Sequence, residues 1–339
     1  MQTLLIKLKL ETMELRKVQN RPVSPVVEFI PQQETSDSHF MAANTVPVSI
    51  EELQNKHTIP VFAKDNESTI SHQEFIETVT YVTDQIFDGE TILKPAVRVS
   101  HPIKGRIPSA VGKPAKELQE HEKTLYYERM AFAIEIPSMT EKVAENSLDL
   151  TIGGVRAYNL TNLHSRKSEE HFKLFIGFNN SVCCNLCIST DGFQSDVKVR
   201  TVAELAKAAY NLFGEFNVYK DIEVLNNLPG TMITESQFAQ IVGRARMYQN
   251  MPFKDRKELP QFPLSDSQVN LVVKDYYSDE SFCRNDLGNI NLWKLFNLFT
   301  GANKMSYIDT FLDRGVGCQQ FVHGLYQAIG ENRHHWFVS

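Results

Sequence analysis

The sequence predicts an α+β fold, and two observations carry that reading. Before Arg200, apolar residues alternate with polar ones in short runs punctuated by Gly, Pro, Asn and Asp, the period-two signature of strands. After Thr201 the apolar spacing changes to the three-and-four pattern of helices. A strand-rich first half followed by a helical second half is the order of an antiparallel sheet covered by helices from elsewhere in the chain. The expected organisation is a flexible lead-in over residues 1–45, a strand-rich α+β part over 46–200 and a mainly helical part over 201–339. The last two are expected to pack as one globular unit.

The elements follow in order. The segment NRPVSPVVEFIPQQETSDSH is rich in Pro, Ser and Gln, shows no period and reads as lead-in. Met13 is an alternative start. Ser71 and Glu74 have the spacing of a capping box, and Phe75, Val79, Val82 and Ile86 fall on one face behind it, so a helix is expected over 71–87 with Gly89 as its stop. In ILKPAVRVSHPIKGRIP the prolines confine any strand to an edge or a strand start. LYYERMAFAIEI, residues 125–136, reads as one half-buried strand, and residues 147–152 as another. Residues 172–178 and 182–189 are expected to form a hairpin around Asn179-Asn180-Ser181, because Asn tolerates the left-handed backbone of tight turns. A further strand covers 194–200. Thr201 with Glu204 and Thr234 with Gln237 then cap two helices, and Ser265 opens a third. Apolar stretches at 292–299 and 307–312 are separated by Thr300-Gly301-Ala302-Asn303, and a final helix is expected over 318–329.

The composition bounds the function. With 339 residues, 42% hydrophobic and 22% charged, the chain can bury a large core. No apolar run approaches the ~18 residues of a membrane span, and no signal-peptide pattern opens the chain, so a cytoplasmic protein is expected. Five cysteines argue against a disulfide framework. Cys184-x-x-Cys187 is half a zinc motif without a second pair. Placed on a strand, Cys183 and Cys187 would face one side and Cys184 the other, which favours buried thiols. Gly153-Gly154 lacks the neighbours of a phosphate loop and reads as a tight turn or close backbone packing. Gly243-Arg244-Ala245-Arg246 reads as a solvated helix face. The histidines are scattered, and His334-His335 lie at the end of the sequence. With no H-E-x-x-H and no G-x-S-x-G present, neither a catalytic residue nor a metal or cofactor site is nominated.

Charge placement offers the functional lead. The net charge is only −6, but Glu51–Glu90 holds nine acids and two lysines, while Thr91–Lys116 holds six cations and no acid: Lys94, Arg98, Lys104, Arg106, Lys113 and Lys116. A second acid-free stretch carries Arg156, Tyr158, Arg166 and Lys167. Cations in a Gly- and Pro-containing loop, interleaved with Tyr126, Tyr127 and Tyr158, suit a phosphate backbone and stacked bases. The competing reading is that these cations only neutralise Glu51–Glu90.

Four stretches, RVSHPIKGRIPSA, LYYERMAFAIEIPS, IGGVRAYNLTNLHSRKSEEHFKLFIGFNNSVCCNLCISTDGF and LWKLFNLFTGANKMSYIDTFLDR, together resemble domain-of-unknown-function family 3871. This is a Bacteroidetes family of similar length met in conjugative and other mobile elements. The resemblance spans about Val46 to Phe337 and implies a start near Met13. The family brings no catalytic residue with it. IGFNNSVCCNLCIST also resembles a strand of the phage and plasmid family domain of unknown function 932, a setting in which proteins often handle DNA. The resemblance implies a mobile-element accessory protein. The expected function is non-enzymatic binding of single-stranded DNA through the two basic segments, with self-association into an oligomer and no membrane partner. Two alternatives stand beside it. One is an enzyme or host-defence inhibitor whose site is built from dispersed residues. The other is a protein-interaction module using the aromatic helix at Trp293–Phe299.

Overall fold

Strand alternation and helix caps become elements as follows in the computed structural model, which describes residues 40–42, 45–56, 70–160 and 169–338. In chain order they are β1 (Thr45–Pro47), α1 (Ile50–Lys56), α2 (His72–Ile86), β2 (Ala96–Ser100), β3 (Pro102–Arg106), β4 (Lys123–Tyr127), β5 (Arg129–Val143), β6 (Asn146–Ala157), β7 (Glu170–Asn180), β8 (Asn185–Cys187) and β9 (Phe193–Val199). The helical half continues with α3 (Val202–Glu215), α4 (Val218–Asn226), β10 (Met232–Ile233), α5 (Glu235–Asn250), α6 (Phe253–Arg256), α7 (Asp266–Ser278), β11 (Ile290–Asn291), α8 (Leu292–Asn303) and α9 (Ile308–Gly330). The fold is α+β. Ser38–Ser339 make one compact unit.

The main sheet runs β1-β2-β5-β6-β7, every pairing antiparallel, and the far side of β7 is shared by β8 and β9. Register assigns the two faces. Phe132, Gly154 and Leu174 lie side by side on one face, and Ala133, Gly153 and Phe175 on the other. A Cβ on Gly154 would sit 2.5 Å from the Phe75 ring, so the first face is the one α2 covers. Ala131, Ala133, Val155 and Phe175 instead pack on Ile308, Phe311, Leu312 and Val316, so α9 covers the second. Helices on both faces make the centre of β5 and β6 continuously apolar rather than alternating. Residues Met130–Ile134 are all buried.

That double cover explains where the pattern misleads. Residues 125–136 are two strands, not one half-buried strand: β4 leaves the sheet to pair with β3 as a separate ribbon, and β5 starts at Arg129. Residues 147–152 extend into a strand reaching Ala157, with Gly153-Gly154 at its centre rather than at a turn. The Cβ that Gly153 lacks would lie 2.0 Å from the Phe132 carbonyl oxygen, so close packing is the operative half of that reading. The hairpin after β7 turns over Ser181–Cys184, and Cys184, not an asparagine, takes the left-handed φ of 51°. Asn179 and Asn180 stay in the strand, where their amides find partners: Asn179 donates to the half-buried Glu135 Oε1 at 2.9 Å and Asn180 to the buried Asn297 Oδ1 at 3.0 Å. Cys183 and Cys184 therefore sit on the turn, not on alternating faces of a strand.

Local capping signals hold well. Ser71 with Glu74, Thr234 with Gln237 and Ser265 with Gln268 all close reciprocal boxes. Thr201 accepts from Glu204 N, but the Glu204 carboxylate accepts from Arg200 N instead, so that box is half made. Gly89, at φ 93°, takes the left-handed turn just beyond α2. Pro102 stands at a strand start, and Pro95 just precedes one. Residues 300–303 do not break the chain; α8 continues through them to Asn303. The segments at 307–312 and 318–329 are one helix, α9, because Gly315 and Gly317 pack beneath neighbours instead of ending it. The Cβ positions of these two glycines fall 3.5 Å from Asn303 Nδ2 and 2.9 Å from Pro263 Cβ. β1, α1 and α4 have no counterpart in the sequence reading.

Candidate functional site

The cations of Thr91–Lys116 scatter across three settings. Arg98 lies on β2, between β1 and β5, and is 7% exposed. Its guanidinium donates to Thr45 Oγ1 at 3.0 Å and to the Thr45 carbonyl at 3.2 Å, and burial pulls its pKa down. It is a strand-pairing residue and cannot reach a nucleic acid. Lys104 and Arg106 lie on β3 in the β3–β4 ribbon. Alternation puts both on the same face as Lys123, which is directly opposite Arg106. Like charges facing each other across a ribbon destabilise it unless each finds a partner. Arg106 donates to the Lys113 carbonyl, and Lys123 pairs with Glu120. Lys113, in the connecting loop, pairs with Glu122, whose carboxyl is held below its usual range by Lys113 and by the Gln119 backbone N–H. Lys94, Lys104 and Lys116 are exposed and have no ion pair among the described residues. None of the six cations pairs with the described part of Glu51–Glu90. The neutralising acids come from the ribbon's own connection.

The second basic segment is internal. Arg156 and Tyr158 are 0% and 2% exposed. The Arg156 guanidinium is stacked 4.4 Å from the Tyr158 ring and 4.6 Å from the Phe172 ring, and it forms an ion pair with the fully buried Glu170. Glu170 also accepts from Ile70 N at 3.1 Å, which ties the sheet to the start of α2. The stretch is acid-free in sequence only because its acid lies one strand away, on β7. Arg156 and Tyr158 are thus corrected to a structural pillar. Arg166 and Lys167 lie outside the described residues. Trp293, Phe296 and Phe299 are also core, 2%, 0% and 2% exposed, so the aromatic helix presents no interaction surface there.

Burial pushes the Cys183 thiol up to about 11 and the Cys187 and Cys318 thiols upward as well, so all three stay protonated near neutral pH. Cys183 Sγ rests 3.7 Å from Asn297 Oδ1. Among the described residues no group of three His, Cys, Asp or Glu could hold a metal ion. Arg244, read as solvated helix face, donates to the Trp336 carbonyl and anchors the C-terminal tail.

Two features carried no sequence signal. One is a buried polar knot of Asp221 on α4, Ser189 after β8 and Gln319 on α9, brought together from residues about 130 apart in sequence. The other is a cleft of about 590 Å³ along α9, lined by the Pro260–Pro263 segment and by His335.

Against known proteins, the chain matches over residues 24–338 the profile of a family described as "Domain of unknown function, B. Theta Gene description (DUF3871)". No curated protein and no solved structure matches it. Among the described residues no helix is long and apolar enough to cross a membrane.

Proposed function

The chain belongs to domain-of-unknown-function family 3871, and from that premise we propose that it is a non-catalytic protein that binds single-stranded DNA through its β3–β4 ribbon. The observation that carries the proposal is the ribbon face on which Lys104 and Arg106 stand beside Lys123, separate from the main sheet. A ribbon free of the sheet can lie along a phosphate backbone, and exposed Lys116 in its connecting loop extends its charge. Tyr126, opposite Ile103, lies on the other face of the ribbon, so phosphate contacts rather than base stacking carry the binding. Compared with the sequence reading, the site loses Lys94, which lies before the far end of β2, and the buried Arg98, Arg156 and Tyr158; it keeps Lys104, Arg106, Lys113 and Lys116 and adds Lys123. The raised thiol pKa values and the dispersed histidines support a binding protein over an enzyme. A cytoplasmic location, a mobile-element setting and self-association along a strand belong to the same proposal.

The test is fluorescence anisotropy with a labelled oligothymidine of about 20 nucleotides. If about five cations touch phosphates, log K should fall against log salt with a slope of about −3.5. The pair K104E/R106E should lower affinity at low salt by about tenfold or more and flatten that slope by about 1.4. Micromolar protein that leaves the oligonucleotide free at low salt, or binding that ignores the charge reversal, removes the proposal.

A further inference from the structure

Row by row, the sheet face on which α9 packs changes from apolar to polar. Ala133, Gly153 and Phe175 form one row across β5, β6 and β7. The next row on the same face is Glu135, Thr151 and Gly177. The row after it joins Asp149 to Asn179, with Thr140 opposite Asp149 beyond an irregularity in β5. Strand register alone therefore gathers two carboxylates and an amide on one face. Glu135 leans across β6, for its carboxylate accepts from Asn179 Nδ2 at 2.9 Å although Asn179 stands two strands away. Asn179 is also directly opposite Asp149, so its amide lies between the two acids. Burial and the Asp149 charge both push the Glu135 carboxyl up, as expected of like charges sharing a site.

Elsewhere in the molecule such acids are neutralised by a side chain: Glu170 has Arg156, Glu122 has Lys113 and Asp313 has Lys173. Neither Glu135 nor Asp149 has an ion-pair partner among the described residues. A second observation points to a missing positive group. Asn179 is 2% exposed, and its Oδ1 atom is buried without a hydrogen-bond partner. A buried acceptor without a donor is costly, and a cation would relieve that cost together with the repulsion.

The surrounding hydroxyls leave room for one. Ser181 Oγ can donate to Asp149 Oδ2 at 2.9 Å or to the Ser147 carbonyl at 3.1 Å. Thr140 Oγ1 can donate to Asp149 Oδ1 or to the Pro137 carbonyl at 2.8 Å. Each hydroxyl carries one proton, so both can turn to the carbonyls and free the Asp149 lone pairs. Thr140 and Ser181 are exposed, which gives an ion a path from solvent. The available ligands are all oxygens, a set that suits a hard cation, and two carboxylates match the charge of a divalent one.

We propose that Glu135, Asp149 and Asn179 Oδ1 hold a hard divalent cation of the Ca²⁺ or Mg²⁺ class, its shell completed by water, which ties β5, β6 and β7 together. The site lies on the main sheet, apart from the β3–β4 ribbon, and neither proposal depends on the other.

The experiment takes the full-length protein after EDTA treatment and titrates CaCl₂ or MgCl₂, in separate arms, against NaCl of matched ionic strength. Binding is read by isothermal titration calorimetry and stability by thermal melting. One ion per chain should bind with a Kd on the order of 10⁻⁴–10⁻³ M, as suits a site with only two charged ligands. At about 10 mM of the ion the melting temperature should rise by about 2 °C or more. Glu135→Gln and Asp149→Asn keep acceptors for Asn179 and for the hydroxyls but remove one charge each. Both should lose at least about tenfold in affinity. Without the ion both should melt at or above the wild-type temperature, because the repulsion is gone, which also shows that they fold. Absence of saturable binding of either ion to the wild-type chain overturns the proposal, as does a response that survives undiminished in either variant. Variants more stable than a wild type that ignores both ions overturn it too, and identify the pair as two acids sharing a proton.

Discussion

Asp221 is the residue whose setting has the clearest energetic consequence. It lies in the first turns of α4, and burial raises its pKa from the ordinary carboxylate range to about 6, against the lowering influence of the Ser189 and Gln319 side chains. Its Oδ2 atom is buried without a hydrogen-bond partner. The folded pKa is raised, so the group costs nothing below about pH 4, where folded and unfolded chains are both protonated. Stability falls as pH rises through about 6, because only the folded state must ionise a buried carboxyl. Asp221→Asn does not titrate, so it removes the cost of ionising this buried group. Urea denaturation at about pH 7.5 should show the variant more stable than wild type by about 1–3 kcal/mol, the gap narrowing below about pH 6 and closing only below about pH 4. A gap that is absent, or equal at both pH values, would show that the carboxylate is already satisfied. Nothing in the sequence marks Asp221, since its partners stand on a strand-end loop and on α9. Arg156 teaches the same lesson in reverse: it reads as a free cation in sequence and is a buried ion pair in space, its acid supplied across a strand pairing.

At the scale of elements, legibility follows the range of the interaction. Helix starts depend on contacts three residues apart, and Ser71-Glu74 and Thr234-Gln237 could be read directly. Strand limits and turns depend on what lies across the sheet, and these misread most. β6 is the plainest case, because two adjacent glycines in mid-strand look like a turn until both sheet faces are known to be covered. The added Cβ of Gly153→Ala would lie 2.0 Å from the Phe132 carbonyl oxygen, on the neighbouring strand's backbone, which no side-chain rotation relieves. The added Cβ of Gly154→Ala meets the far edge of the Phe75 ring at 2.5 Å and the Lys173 carbonyl at 2.7 Å, so part of its strain can be released by the ring. Both variants should lose stability by about 1–3 kcal/mol or more in urea titrations, with Gly153→Ala the worse. A reversed order, or two neutral substitutions, would mean that β6 can shift in register and that α2 does not clamp it.

For the whole of Ser38–Ser339, the question is whether the strand-rich and helical halves stand alone, and the core answers it. One continuous apolar cluster runs from Leu53 on α1 through both halves to Phe337, two residues from the end of the chain. Trp293 on α8 donates to Asn146 Oδ1 at the start of β6, at 2.7 Å, so a helix of the second half is tied directly to the sheet. The α+β class was legible because periodicity is a property of composition in order. The role of the tail was not, since a few residues after the last helix carry no period. Phe337 is fully buried, with ring centroids 4.9 Å from Phe321 and 5.4 Å from Phe262. Phe337→Ala should therefore cost about 3–5 kcal/mol, as for a large buried aromatic. The loss should reach the sheet as well as the tail: far-ultraviolet circular dichroism and tryptophan fluorescence should follow one urea transition in wild type, and in the variant that same single transition should move to lower urea. If the helical signal instead melts in a separate step while the sheet persists, the halves are independent folding units and the shared core does not couple them.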